Sequence, residues 1–347
     1  MSSDSFITNW RSGVASFTLH TSGSTGTPKP IQLTRAQMEA SARLTGQTFG
    51  LQPGDKALVC LNTRYVAGVM MLVRGEVLGL DLTIVEPSAN PLGTFDPVST
   101  RFDFAAFVPL QLQTMLADVD SLGKPVSLPI LNGMKAILVG GAATSLALET
   151  ALQVIQAPVF STYGMTETVS HIAIRQLNGP ERTDLFQVLP GVEVGTDERN
   201  CLHITAAATN FERIQTNDVV DLIRPDTANG QVRFRLLGRA DSIINTGGVK
   251  VQPEGIERII EARLSHWGLT PRLFVAGIPD ERLGQRVVLF LENTELTASQ
   301  WEIIQQDIRA HAGTYAVPKA WYNVPAFPET ATGKIDRKGV IGDWVDR

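Results

Sequence analysis

TSGSTGTPK, residues 21–29, stands between two strand-like runs, FTLH at 17–20 and PIQL at 30–33. Its glycines let the backbone approach a polyanion, and successive N–H groups there can form an anion nest. The hydroxyls add donors and Lys29 adds a point charge. By composition this is a phosphate-binding loop. It is not a Walker A loop, because GxxxxGK[ST] is absent and Pro28 and Pro30 oppose a helix directly after it. Taken alone, the segment also suits a Ser/Gly-rich hairpin turn. Just beyond it, Thr34 with Gln37 reads as a capping box that opens a helix, and Gly50 sits where a C-terminal cap belongs.

Working outward, residues 17–163 alternate short β-rich runs with amphipathic ones, the pattern of a layered α/β domain. Further strands are predicted at 57–61, 82–85, 104–108, 136–139 and 159–162, in a mostly parallel sheet. After Pro190 the texture changes to short extended runs at 201–205, 219–223 and 232–237, separated by Asp, Asn and Gly, which predicts an antiparallel or barrel-like annex. A Gly-rich stretch then leads into a helix with Pro253 in its first turn and Ile256, Ile259, Ile260 and Leu264 on one face. Strands at 273–277 and 287–291, a helix over 298–310 and a polar tail complete a small α+β domain. The expected organisation is a large N-terminal layered α/β domain over 1–238 with a β-rich annex, a hinge at 239–241, and a small C-terminal domain over 242–347.

Composition narrows the function. Across 347 residues, 30 Lys and Arg against 35 Asp and Glu give a net charge of −5, which argues against a nucleic-acid binder. With 43% hydrophobic and 19% charged residues the chain has the profile of an ordered enzyme. Cys60 and Cys201 lack any CxxC or Cys/His spacing, and the five His residues lack an HExxH pattern, so no disulfide framework or zinc site is indicated. No signal peptide or membrane-spanning run is evident, so a cytoplasmic enzyme without membrane insertion is expected.

The loop has companions. TSGSTGTPK, then YGMTET at 163–168, then GRADSIINTGGVKVQPEGIE from Gly238, then TGKIDRK at 332–338 resembles, in order and spacing, the adenylate-forming acyl-CoA ligase superfamily of AMP-binding enzymes over nearly the whole chain. The resemblance implies an ATP-dependent acid:CoA ligase using ATP, Mg²⁺ and coenzyme A. It assigns Thr21, Ser22, Gly23, Ser24, Thr25, Gly26 and Lys29 to the ATP phosphates, and Lys334 to a catalytic lysine between carboxylate and α-phosphate. Glu167 then helps hold Mg²⁺, beside Gly164, Met165 and Thr166 of the nucleotide-binding motif. Gly140, Gly141 and Ala142 form the adenine wall, Tyr163 stacks on the base, Asp218 bonds the ribose hydroxyls and Arg239 makes a second ribose or phosphate contact. Asp241 matches the hinge, and Gly247 and Gly248 line the pantetheine tunnel. Where the family has Thr-Gly-Asp this chain has Thr216, Asn217 and Asp218, and Asn is expected to take the positive φ that Gly would allow.

Family members place a subdomain before the phosphate loop, whereas here the loop starts at Thr21, so a truncated N-terminus is expected, its open edge a candidate surface for a homodimer. The compact form, with TYGMTETVSHIAIR and LNTRYVAGVMMLVRG, is similar to the short o-succinylbenzoate:CoA ligases of menaquinone biosynthesis. Arg74 is a lone cation on the apolar run 66–78, where a buried guanidinium needs a partner, and a dicarboxylate offers one acid group to activate and one to pair. Ser170 and His171, just after the Glu167 motif, are further acyl-pocket candidates. Alternatives are a ligase for another aryl or short acyl acid, a stand-alone adenylation enzyme, and an AMP-binding relic without activity. Against the relic, Lys29, Glu167, Asp218, Arg239 and Lys334 are all present.

Overall fold

A computed structural model describes residues 2–20, 29–225, 230–330 and 334–345. The loop between the first two strands falls outside these, but its flanks do not: Ser16–His20 and Pro30–Thr34 pair antiparallel, with Phe17 opposite Leu33. Both of those side chains are buried. Thr34 then caps helix Arg35–Phe49 in the expected capping box with Gln37, and Gly50 closes it at φ 62°. The Gln37 amide also donates to the carbonyl of Ala208 at 3.0 Å, tying the helix start to a distant loop.

Among the described residues the large sheet has 11 strands. Five of them, Asp81–Ile84, Lys56–Val59, Phe104–Phe107, Ala136–Val139 and Val159–Gly164, run parallel in that spatial order. The central ones are apolar, as strands covered on both faces require; all of Ala136, Ile137, Leu138 and Val139 are buried. At Val159–Gly164 the direction changes. His171–Gln176 pairs antiparallel with it, and Phe186–Val188, Arg233–Arg239, Ile214–Ile223, Cys201–Thr205 and Glu193–Thr196 continue antiparallel to the edge. The annex is therefore no separate barrel but the antiparallel half of the same sheet. His171–Gln176, whose four residues from His171 to Ile174 are all buried, joins the halves.

The second sheet is built on Gly284–Glu292, which pairs antiparallel with Leu273–Asp280 and parallel with Ala320–Val324, and meets Ile244–Thr246 at one end. Helices Pro253–His266 and Ala298–Ala312 pack together over one face. The polar tail expected at the C-terminus instead contains strand Ala320–Val324 and helix Arg337–Val345. Its intermittent apolar residues, Trp321, Tyr322, Val324 and Val340, are what the two elements bury. Each apolar cluster among the described residues draws its members from one side of residue 240 only. No helix among the described residues is long and apolar enough to cross a membrane.

Candidate functional site

Asp218 is the centre of the best-defined polar cluster. Strand pairing sets it opposite Arg239. Its Oδ1 accepts from Arg239 Nη1 at 3.0 Å and its Oδ2 from the Tyr163 hydroxyl at 2.6 Å. Tyr163 is buried, with its ring edge-on to Phe186 and Phe234, and burial together with the Asp218 charge pushes its hydroxyl well above the ordinary value. Arg239 also holds Asp241 in a two-pronged pair, Nε to Oδ1 at 2.9 Å and Nη2 to Oδ2 at 2.8 Å. That pair lowers the Asp241 carboxyl below the usual carboxylate range. The expected turn at Asn217 is absent. Asn217 lies inside the ten-residue strand Ile214–Ile223 and is not among the positive-φ residues, because its carbonyl is engaged by the N–H of Ala240 at 2.7 Å.

Lys334 reaches this cluster from the second sheet. Glu329 bridges Ile335, and the Thr330 N–H donates to the Lys334 carbonyl at 2.8 Å, which fixes the backbone of the lysine. Burial, and then the positive charge of Arg239, lower the Lys334 ammonium below its ordinary value, so the two cations stand within electrostatic reach. A lysine and an arginine in one neighbourhood suit a negatively charged group. Gly140, Gly141 and Ala142 follow the buried strand Ala136–Val139, and the last two are exposed. A Cβ on Gly140 would lie 2.6 Å from the Thr162 hydroxyl, which requires glycine there.

The motif after Tyr163 is a short turn under strain. Thr168 Oγ1 has two carbonyls within reach of its single proton, Ser170 at 2.8 Å and Met165 at 3.1 Å, and the Ser170 N–H donates to the Thr168 carbonyl at 2.7 Å. This makes a γ-turn of the rare positive-φ kind at Val169, with φ 64° and ψ −50°. For a β-branched residue that is a genuine outlier, and such strain concentrates at functional sites. Gly164 is required by the same turn, since a Cβ would lie 2.1 Å from the Ser170 carbonyl oxygen. Met165 is half-buried and Thr166 buried. Glu167 is half-buried, and no hydrogen bond or ion pair among the described residues engages its carboxylate. One such carboxylate, with phosphate oxygens and water, is a fitting donor set for Mg²⁺. No group of three or more His, Cys, Asp or Glu among the described residues is arranged to hold a metal by itself.

Arg74 is buried at 2% exposure in helix Val66–Leu78. Its partners are neutral: Thr45 Oγ1 at 3.2 Å, Met71 Sδ at 3.5 Å and Ser170 Oγ at 2.7 Å. Without a carboxylate among the described residues to offset desolvation, burial pulls its guanidinium down to about 10. Ser170 Oγ lies 3.2 Å from His171 Nδ1, and His171 Nε2 is buried without a hydrogen-bond partner among the described residues. Burial, then the Arg74 charge, push His171 down to about 3. Arg74, Ser170 and His171 thus form one cluster. Thr45 and Met71 were not legible as members; Thr45 arrives from a neighbouring helix.

Lys29 is exposed just before strand Pro30–Thr34, whereas Thr21, Ser22, Gly23, Ser24, Thr25 and Gly26 lie outside the described residues. Gly247 and Gly248 form the two-residue turn between Ile244–Thr246 and Val249–Val251, with φ of 57° and 80°. A turn of that geometry needs residues tolerant of positive φ at both positions, so the hairpin by itself accounts for the pair.

Comparison with known proteins places this arrangement. The AMP-binding enzyme family matches residues 12–195, and the AMP-binding enzyme C-terminal domain matches residues 271–334. An acyl-CoA synthetase (AMP-forming)/AMP-acid ligase II-like protein from Dyadobacter fermentans is 43% identical, with a TM-score of 0.62 over 98% of this chain and 92% of that one. The 2-succinylbenzoate–CoA ligase of Escherichia coli is 27% identical over 341 residues, covering 94% of this chain and 68% of the relative. The o-succinylbenzoate coenzyme A synthetase of Bacillus subtilis, solved with ATP and magnesium ion, gives a TM-score of 0.71 at 20% identity over 92% of this chain and 68% of that one, a likeness of fold. Fold and family together define an adenylate-forming enzyme. The chain belongs to the AMP-binding enzyme family, and its class is that of an AMP-forming acid–CoA ligase.

Proposed function

We propose that the protein is a cytoplasmic o-succinylbenzoate–CoA ligase of menaquinone biosynthesis, with a large domain over 1–238, a hinge at 239–241 and a small domain over 242–347. In the first half-reaction a carboxylate oxygen attacks the α-phosphorus of ATP, the bond to the β-phosphate bridging oxygen breaks, and pyrophosphate leaves. In the second, the thiol sulfur of coenzyme A attacks the acyl carbon, the bond to AMP breaks, and the thiol proton is released. Asp218 and Arg239 take the ribose, Tyr163 and Gly140 to Ala142 take the base, and Lys29 with the preceding loop takes the phosphates. Lys334 stands between carboxylate and α-phosphate, where negative charge gathers in the transition state. Glu167 holds Mg²⁺, which neutralises phosphate charge when bound. Gly247 and Gly248 line the thiol's path.

The observation that carries the choice of acid is Arg74, a buried guanidinium whose described partners are all neutral. It hydrogen-bonds Ser170, three residues after Glu167, so the group it awaits lies beside the activating site. A second carboxylate on the substrate supplies the missing counter-charge. The relatives named for 2-succinylbenzoate agree with that choice.

The test is ATP-dependent pyrophosphate release with o-succinylbenzoate, benzoate, succinate and fatty acids, each with and without coenzyme A. The expected result is strong, CoA-stimulated turnover with o-succinylbenzoate. In Arg74→Ala its kcat/KM should fall roughly 10- to 100-fold, the loss of a charge-assisted bond, with KM for ATP unchanged. Equal turnover of benzoate would remove o-succinylbenzoate from the assignment, and an unchanged KM for the dicarboxylate in the variant would remove Arg74 from the acyl pocket.

A further inference from the structure

Helix Pro253–His266 has two working faces. Ile256, Ile260 and Leu264 are buried in the core of the second sheet. Glu254, Arg258 and Glu261, at i, i+4 and i+7, fall on the opposite stripe. Arg258 Nη2 donates to the Leu236 carbonyl in the large sheet at 2.9 Å. The Glu261 carboxylate faces the backbone N–H of Leu146, at the start of helix Leu146–Ala151, and that helix packs against Pro253–His266. Glu254 accepts from Ser242 Oγ at 2.8 Å and from Gln252 Nε2 at 2.7 Å, while Gln252 also donates to the Arg239 carbonyl at 3.1 Å. These side chains press so closely on Gly238 that a Cβ there would lie 2.0 Å from Gln252 Nε2.

The same helix is tied to the segment that carries Lys334. Glu257, on its inner flank, pairs with Arg337 Nη1 at 3.0 Å, three residues beyond the lysine. Ile335 and Val340 pack with Phe274 and Phe290 in the core beneath. Helix and Lys334 segment therefore move as one piece, and the place of that piece on the large sheet is fixed by the outer stripe.

We propose that Arg258 and Glu261 are positioning residues for adenylate formation: they clasp the small unit onto the large one in the arrangement that brings Lys334 to Arg239 and Asp218. The inference rests on the role proposed above for Lys334. Ångström-scale loss of register at a reacting centre costs on the order of 10²-fold in rate. The clasp is polar, small and remote from the reacting atoms, so its loss leaves both cores intact.

The experiment separates the half-reactions. Single-turnover adenylate formation, with the acid that drives pyrophosphate release, and conversion of supplied acyl-adenylate to thioester are measured in the wild type, Arg258→Ala/Glu261→Ala, Arg258→Lys, Glu261→Gln and Lys334→Ala. The double variant should lose roughly 10²-fold in adenylate formation and keep thioester formation within about twofold. Arg258→Lys and Glu261→Gln, which retain a donor and an acceptor, should recover most of the rate. Equal loss in both half-reactions, or a double variant as fast as wild type while Lys334→Ala is inactive, overturns the clasp. Full adenylation by Lys334→Ala instead overturns the role of the lysine. Amide hydrogen exchange at Leu146 needs no acid: it should quicken in the double variant, and unchanged exchange there also contradicts the proposal.

Discussion

Arg74 and His171 show how one buried residue sets the chemistry of another. Burial, with the Arg74 charge adding to it, keeps the imidazole neutral down to about 3, while the guanidinium stays charged at neutral pH even at about 10. In the unfolded chain His171 takes up a proton near its ordinary value of 6.5. Because the folded value is depressed, the unfolded state binds the extra proton between pH 6.5 and 3, and stability falls as pH falls through that window. The loss is about 1.4 kcal/mol per pH unit. Urea unfolding at pH 7 and pH 5 should therefore show the wild type losing about 2 kcal/mol more than His171→Gln. Parallel losses would mean that His171 is protonated in the folded protein. The thiol of Cys60 follows the same logic with the opposite sign: burial pushes it up to about 12, which makes it inert at neutral pH.

At the scale of elements, the hairpin of Val159–Gly164 and His171–Gln176 does two things at once. It turns the sheet from parallel to antiparallel, and its connection places Glu167 and Ser170 on opposite sides of the strained residue Val169. The compression at Gly164 makes the hairpin testable. A methyl group there would lie 2.1 Å from the Ser170 oxygen and 2.7 Å from the His171 Cα, both backbone atoms with little room to retreat. Gly164→Ala should cost about 1–3 kcal/mol in urea unfolding, the range for overpacking, and weaken substrate binding as Ser170 shifts from Arg74. A variant of wild-type stability and KM would show that the turn relaxes freely and that its tightness has no bearing on the site.

On the scale of the molecule, two packed bodies meet across few polar contacts. The apolar clusters stay on their own sides of residue 240, and contacts of that kind permit relative motion. Lys334 and Asp218 come from different bodies, so a ligand held by both links their stabilities. Differential scanning calorimetry of the free protein should resolve two transitions. A non-hydrolysable acyl-adenylate analogue at about 100 times its Kd adds about 2.7 kcal/mol and should merge them into one. A single transition that the analogue only shifts would show one cooperative unit. Chelation gives a separate check on the assignment of Glu167: EDTA should stop pyrophosphate release, and excess Mg²⁺ should restore it without added protein. Activity that persists under chelation would leave Glu167 without its role.

Much of the fold was legible because its signals are local. The capping box of Thr34 and Gln37, the apolar runs at 104–107 and 136–139, and the Ile256, Ile260 and Leu264 stripe each fix an element from neighbouring residues alone. The four motifs likewise pointed to the family, since each is a short segment read from neighbouring residues. Other features depended on residues far apart in the chain. Whether the β-rich half formed a barrel or extended the sheet turned on the pairing of His171–Gln176 with Val159–Gly164, and the straight strand through Asn217 on its pairing with Arg233–Arg239. The sequence by itself determined the two-part α/β architecture, the adenylate-forming class and the identity of its charged residues. Only the tertiary structure decided that Arg74 is buried among neutral partners, and that Arg258 of one unit meets the Leu236 carbonyl of the other. The reason is that burial and charge pairing are set by which surfaces meet, and the surfaces that meet here come from elements 100 residues or more apart in some cases, beyond the reach of any local pattern.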